Sequence, residues 1–318
     1  MPTPSVVVVG SFVQDMFFET ASFPRPGQSV IGKFRTAPGG KGFNQAVAAA
    51  RAGADTGFIG ALGRDEFGSA ARAFLDQERV ASRCVIKTSH ASGTAVVVID
   101  STGQNQIVVA LGANDALQPE EIPAEWLEGA RVLVGQLEVS PPTTFDALSR
   151  ARANRATTIL NPAPMREDFD PAMLAQVDIL VPNESEFAAL VRSLPGLGGC
   201  SVREDDIAQL PAAKLQSLCR KLGPGLIVVT LGERGCFLSQ PDRGLAIPAL
   251  PGVRAIDTTG AGDAFVGALG AAYLEFDGDA ERAVRFANAA GGLSVQRPGA
   301  APSMPRRSDI DAALGPGP

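Results

Sequence analysis

The chain has 318 residues, 45% hydrophobic and 19% charged, with a net charge of −6 and a pI near 5.0. That balance excludes an extended nucleic-acid or anionic-membrane surface, so an anionic ligand needs a local positive site such as a helix end or a bound cation. His90 is the single histidine, which removes Ser-His-Asp, Cys-His and multi-histidine metal chemistry together and leaves a carboxylate, Lys or Tyr as any general base. Cys84, Cys200, Cys219 and Cys236 show no CxxC spacing; a zinc site and a disulfide framework are not expected, and a reduced cytoplasm fits. The sequence carries no apolar run of membrane-spanning length and no recognisable leader. The length suits one large α/β domain with an insertion, or two domains.

Residues 6–10, Val-Val-Val-Val-Gly, read as a strand buried on both faces, with Asp15 just beyond its carboxyl end, where open α/β sheets place ligands. Residues 16–37 carry Pro24, Pro26, Gly27 and Gly32 and predict short strands and turns leaving the main sheet. Gly39-Gly40-Lys41-Gly42-Phe43-Asn44 then leads into an Ala-rich helix over 45–52. The glycines permit close approach of a ligand to backbone N–H groups, or simply form a turn and an N-cap; the spacing is not that of a Walker A loop. A strand over 56–60 and an amphipathic helix over 67–78 follow.

Residues 94–100 and 106–111 flank a turn and predict a β-hairpin. Together with 16–37 it would form a small antiparallel sheet, a lid of about 12–37 and 93–112 whose apolar edges could also pair two copies. Beyond it, strands at 132–136, 157–161, 178–182 and 226–231 alternate with helices at 142–154, 184–192 and 205–222. That alternation predicts a doubly wound, mostly parallel sheet flanked by helices. These strands end in polar groups, including Gln136 and Glu138, Asn161, Asn183 with Glu186, and Thr230 with Gly232 and Gly235. Polar ends gathered at one edge of a sheet build a cleft. Asn183 and Glu186 stand one helical turn apart, suited either to water-mediated Mg²⁺ binding or to capping a helix.

Asp257-Thr258-Thr259-Gly260-Ala261-Gly262-Asp263 follows a strand-like approach through Val253, Ala255 and Ile256 and opens a helix. The glycines leave bare N–H groups at its positive end, a site for a phosphate or developing oxyanion. Asp263 either complements the helix dipole or removes a proton from a hydroxyl that attacks phosphorus. A helix of small residues over 280–295 carries Asn288, a Pro/Gly loop follows, and a short helix is expected beyond Arg307. The first strand does not lead to G-x-G-x-x-G, so a dinucleotide-binding dehydrogenase is poorly supported.

The two glycine motifs, with Asn161-Pro162-Ala163-Pro164, Asn183-Glu184-Ser185-Glu186 and Thr230-Leu231-Gly232-Glu233-Arg234-Gly235 in the same order, resemble the ribokinase-like carbohydrate kinases, the phosphofructokinase-B family, from Val6 to Pro305. The resemblance implies a single kinase domain over 1–318 with a β lid closing on the sugar. It also implies ATP-dependent transfer of the γ-phosphoryl group to a primary hydroxyl of a pentose, ribose first. By it, Asp263 is the general base and the N–H groups of Gly260, Ala261 and Gly262 form the anion hole. Asp15, Gly39, Gly40, Lys41, Asn44 and Glu138 hold the sugar, and Asn183, Thr230, Gly232, Gly235, Gly262 and Asn288 serve the nucleotide. Asn183 and Glu186 hold Mg²⁺ through water; Asp257, Thr259, Ser294, Arg297, Gly299 and Ser303 hold an activating monovalent cation, K⁺. A cytoplasmic homodimer formed through the lid is expected. Val13 stands where such kinases tend to carry Asn, and Phe43 replaces a smaller residue, expected to narrow the sugar pocket. A nucleoside kinase on the same scaffold is the nearest alternative and a non-catalytic sugar-binding regulator a more distant one.

Overall fold

Val6–Val9 form strand β1, and all four side chains are fully buried. The even-numbered pair faces one helical layer and the odd-numbered pair the other, as the period of two along a strand requires. The computed structural model describes residues 3–194 and 203–315; Cys200 lies outside them.

From β1 the chain enters β2 (Val13–Thr20) and β3 (Gly32–Gly39), then helix α1 (Lys41–Arg51), β4 (Thr56–Gly63), α2 (Glu66–Gln77) and β5 (Ala81–Lys87). It returns outward through β6 (Gly93–Ile99) and β7 (Asn105–Ala110). The second half alternates: α3 (Ala124–Gly129), β8 (Val132–Gly135), α4 (Pro141–Ala153), β9 (Thr157–Leu160), β10 (Ile179–Leu180), α5 (Glu184–Ser193), α6 (Glu204–Ile207), α7 (Ala212–Leu222) and β11 (Leu226–Thr230). Strands β12 (Cys236–Ser239) and β13 (Gly244–Ile247) precede α8 (Ala261–Glu275), α9 (Ala280–Ser294) and α10 (Arg307–Leu314).

The large sheet has nine strands in the order β13-β12-β11-β10-β9-β8-β1-β4-β5. It is parallel except for β12 and β13, which pair antiparallel at its edge. The expected doubly wound sheet is therefore present. Strand order reverses beside β1, and the ligand crevice of such sheets opens at that point.

The second sheet runs β3-β2-β6-β7. Its outer pairs are antiparallel, including the expected hairpin of β6 and β7, but β2 and β6 are parallel. The lid is mixed and not antiparallel throughout. The reason is topological: β2 and β6 leave the main sheet at the same end, one as a continuation of β1 and one after β5, so both run outward. Asn114 clamps this root, donating from Nδ2 to the carbonyls of Phe12 (2.7 Å) and Leu111 (2.9 Å) and accepting from Phe12 N–H (2.9 Å).

Three further expectations need correction. The helix predicted over 205–222 is two helices, because Pro211 supplies no N–H and restricts the residue before it. Residues 253–256 form no strand: Ile256 is 68% exposed and its N–H donates to the carbonyl of Val295 at 2.7 Å, so this segment follows α9 and not the sheet. Phe43 does not face the sugar pocket. It is fully buried beneath α1, with its ring centroid 5.1, 5.9 and 5.7 Å from those of Phe12, Phe58 and Phe74. Strands β5, β12 and β13 have no counterpart among the predicted elements.

Candidate active site

A cleft of about 690 Å³ opens between the carboxyl end of β1 and the lid. Asp15, Lys41, Asn44, Glu138, Asp257 and Asp263 all line it, although they come from four separate stretches of the chain. Gly40 and Gly260 also line it, and Gly39 pairs with Val13 at the lid root.

Asp263 sits in the first turn of α8 and is only 7% exposed. Its Oδ2 accepts from Asn44 Nδ2 and its Oδ1 from Gln45 Nε2, both at 2.9 Å. Gly267, one turn further along the same face of α8, permits this approach: a Cβ there would stand 2.2 Å from the Gln45 carbonyl oxygen. The N-cap Gly260 adopts φ 76°, a left-handed conformation open to glycine. No side chain caps α8, and a Cβ added at Gly262 would meet nothing within 4 Å, so the helix end faces open space. The N–H of Ala261 is turned back onto Thr258 O at 3.2 Å, leaving Gly260 and Gly262 as the freer donors of the expected anion hole.

Glu138 supports the opposite helix. Its Oε2 accepts from Lys41 N–H (2.9 Å) and from Ser11 Oγ (2.5 Å), so it caps α1 from outside. Burial alone would lower the Lys41 amine, but the carboxylates of Asp263, Glu138 and Glu186 outweigh it and hold the pKa above its ordinary value. Asp15 is the reverse case: burial first, then Glu138 and Asp263, push its carboxyl up from 3.8 to about 7, against the pull of Arg35. Arg35 lines the cleft, stacks 3.8 Å from the Phe17 ring centroid and pairs with Glu19 at 3.3 Å. Asn44 lines the cleft, and its Oδ1 atom is buried with no partner.

Of the residues expected at the nucleotide and metal positions, Asp257 and Thr259 reach this lining and the others lie outside it. Asn183 and Glu186 form a capping box on α5: Asn183 Oδ1 accepts from Glu186 N–H and Glu186 Oε2 from Asn183 N–H, each at 2.9 Å. Glu186 is nevertheless 7% exposed, and burial raises its pKa despite the nearby Lys41, so a cation beside it would be favourable. Thr230 ends β11 and Gly232 and Gly235 shape the turn into β12, while Asn288 Nδ2 donates to Pro248 O at 2.7 Å. Asp257 ties two loops together, accepting from Thr259 N–H (3.0 Å) and Gly299 N–H (2.9 Å); these bonds outweigh burial and hold its pKa low. Ser294 and Ser303 donate to the carbonyls of Gly291 and Ala300, so their hydroxyl oxygens keep lone pairs for a cation. Arg297 is exposed and its side chain pairs with Asp309. Among the described residues no cluster of three His, Cys, Asp or Glu could hold a metal ion; any cation here relies on amide, hydroxyl and carbonyl oxygens.

Gln45 and Ser11 were not expected as site residues, and Gln136 was expected only as one of the polar strand ends that build the cleft. A single Gln among the alanines of the helix was the available signal, since an amide packed on such a helix face is costly without purpose.

The chain belongs to the pfkB family of carbohydrate kinases, whose profile spans residues 3–307. It is therefore a phosphotransferase with an alcohol group as acceptor. Mouse (Mus musculus) ribokinase is 36% identical over 317 residues, covering 98% of this chain and 94% of that protein. The structure of Giardia lamblia ribokinase matches with a TM-score of 0.87 at 29% identity, over 98% of both chains. Arabidopsis thaliana ribokinase complexed with ribose and ATP matches with a TM-score of 0.85 at 30% identity, over 99% of this chain and 100% of that one.

Proposed function

We propose that this protein phosphorylates the primary hydroxyl of a pentose from ATP, with ribose as the first substrate. The observation that carries the reading is the juxtaposition of the buried Asp263 carboxylate with the uncapped amino end of α8, at the floor of a cleft rimmed by hydroxyl-binding groups. Asp263 takes the proton of the attacking hydroxyl, and the N–H groups of Gly260 and Gly262, with that of Ala261 once released from its turn, receive the charge on the transferring group. Asp15, Lys41, Asn44 and Glu138 hold the ring hydroxyls. Asn183, Thr230, Gly232, Gly235 and Asn288 serve the nucleotide.

Bound Mg²⁺ would neutralise phosphate charge, and Asn183 and Glu186 fit holding it through water because a nearly buried carboxylate stands beside an amide there. A monovalent cation, K⁺, would do the same beside α8. Asp257, kept ionised between two loops, fits that position, with Thr259, Ser294, Arg297, Gly299 and Ser303 as oxygen donors. A cytoplasmic homodimer through the outer lid face is supported by its exposed apolar residues, Phe34 and Val108 at 59 and 72%. No helix among the described residues is long and apolar enough to cross a membrane.

A nucleoside kinase is the second reading, favoured by Val13, which lines the cleft as an apolar group. ADP release from ATP–Mg²⁺ with and without K⁺, across ribose, other pentoses, fructose, adenosine and cytidine, tests both. Turnover with ribose supports the first reading, turnover with a nucleoside alone supports the second, and silence across the panel overturns both.

A further inference from the structure

Behind Asp263, on the side away from the cleft, lies a chain of buried amides. Gln45 and Gln136 are fully buried and Asn161 is 8% exposed. Gln45 Nε2 donates to Asp263 Oδ1 at 2.9 Å and to Asn161 Oδ1 at 3.2 Å, while its Oε1 accepts from Gln136 Nε2 at 2.6 Å. Asn161 Nδ2 donates in turn to the carbonyl of Val181 at 2.9 Å.

We infer that Gln45 is a positioning residue for Asp263, and that Gln136 holds Gln45 in the orientation that makes it one. The inference rests on Asp263 being the base. A carboxamide has nearly the same shape either way round, so Gln45 could present its oxygen or its nitrogen to Asp263. One fixed end, the Val181 carbonyl, and the Asp263 carboxylate decide. The Val181 carbonyl is backbone and can only accept, so Asn161 turns its Nδ2 to it and its Oδ1 to Gln45. Gln136 presents a donor to the other end of Gln45. Both constraints point the Gln45 N–H groups at Asp263, and reversing Gln45 would set its oxygen against a carboxylate.

The arrangement leaves one atom bare. Gln136 Oε1 is buried without a partner, packed so close to the backbone that a Cβ on Gly10 would stand 2.0 Å from it. The bare oxygen accompanies a donor aimed at Gln45. The two amides on Asp263 also differ. Asn44 lines the cleft and its contact can be exchanged for one to a ligand, whereas Gln45 is wholly enclosed and grips the carboxylate from behind. A neutral donor fixes the direction of the carboxylate without the opposite charge that would suppress its basicity, and misdirection of a reacting group by about 1 Å can cost 100-fold in rate.

The test is steady-state ADP release with saturating ATP–Mg²⁺ and varied sugar on Gln45→Met, Gln136→Met and Asp263→Asn, each with its melting temperature. Gln45→Met should lower kcat about 10- to 100-fold with KM for the sugar within about threefold. Gln136→Met, which touches neither Asp263 nor the cleft, should lower kcat several-fold with the same split. A merely structural role would lower the melting temperature and leave kcat of the folded enzyme unchanged. Full kcat in both Met variants overturns the inference, as does a loss confined to KM. Should Gln45→Met fail to fold, Gln136→Met decides alone. If Asp263→Asn keeps its turnover, the assignment of the base itself falls; if it is inactive while both Met variants run at the unmodified rate, only the positioning role falls.

Discussion

The two walls of the cleft are built on opposite principles. On the main-sheet side, Asn44, Gln45, Gln136, Asn161 and Asp263 are at most 8% exposed and bond to one another and to backbone. On the lid side, β7 is exposed along its whole length and the outer face of the sheet carries uncovered Phe and Val side chains. Proton abstraction needs atoms held to fractions of an ångström, which a packed interior supplies. On the proposed function, admission of a sugar calls for a wall that can move, and few buried contacts would permit it.

The sharpest test of that division is Asp263→Asn, which should lower kcat by about 10²–10⁴-fold while the dissociation constant for the sugar, measured by calorimetry, changes little. Gly267→Ala should come next. The added methyl would meet the Gln45 carbonyl and Ala48, and forcing α1 from α8 costs about 1–3 kcal/mol; we expect a lower melting temperature together with reduced kcat. An equal fall from a similar substitution on the lid would break the comparison.

Lid substitutions should instead act on binding. Asp15→Asn should raise KM for the sugar roughly tenfold with a smaller effect on kcat. It also has a signed pH consequence. The Asp15 carboxyl titrates near 7 when folded and near 3.8 when exposed, so the folded state binds this proton more tightly. Its contribution favours folding below about 4, weakens as pH rises and is lost above 7. Asp15→Asn should therefore raise the melting temperature at pH 8 and leave it unchanged near pH 4; thermal scans at both pH values check this. Val13→Asn should lower KM for ribose several-fold, because a hydroxyl that loses water and finds no partner costs about 1–3 kcal/mol. The mildest change is Val108→Glu on the outer lid face, expected to alter stability by under about 0.5 kcal/mol and to reveal any lid-mediated dimer as a loss of mass in light scattering.

Much of the fold could be read from pattern: the buried valine run, the alternating elements and the hairpin each stand close to where their periodicity put them. So could the ends of α1 and α8, because glycine-rich entries before a helix carry a local conformational signal. Reading failed where the signal was non-local. Nothing near β2 and β6 indicates that they run parallel, since their direction is set by the shared end at which they leave the main sheet. Phe43 and Asn44 are neighbours in sequence, yet successive helical residues diverge by about 100°, so one enters the core and the other the cleft.

The sequence by itself determined the family, the sheet, and the acidic, amide and glycine residues proposed for phosphoryl transfer, because these depend on residue type, spacing and local backbone freedom. Only the tertiary structure decided which of them meet. The hydrogen bonds between Gln45 and Asp263 and between Gln136 and Gln45 span 218 and 91 positions. Their direction follows from amide groups that have no preferred end until packing closes around them.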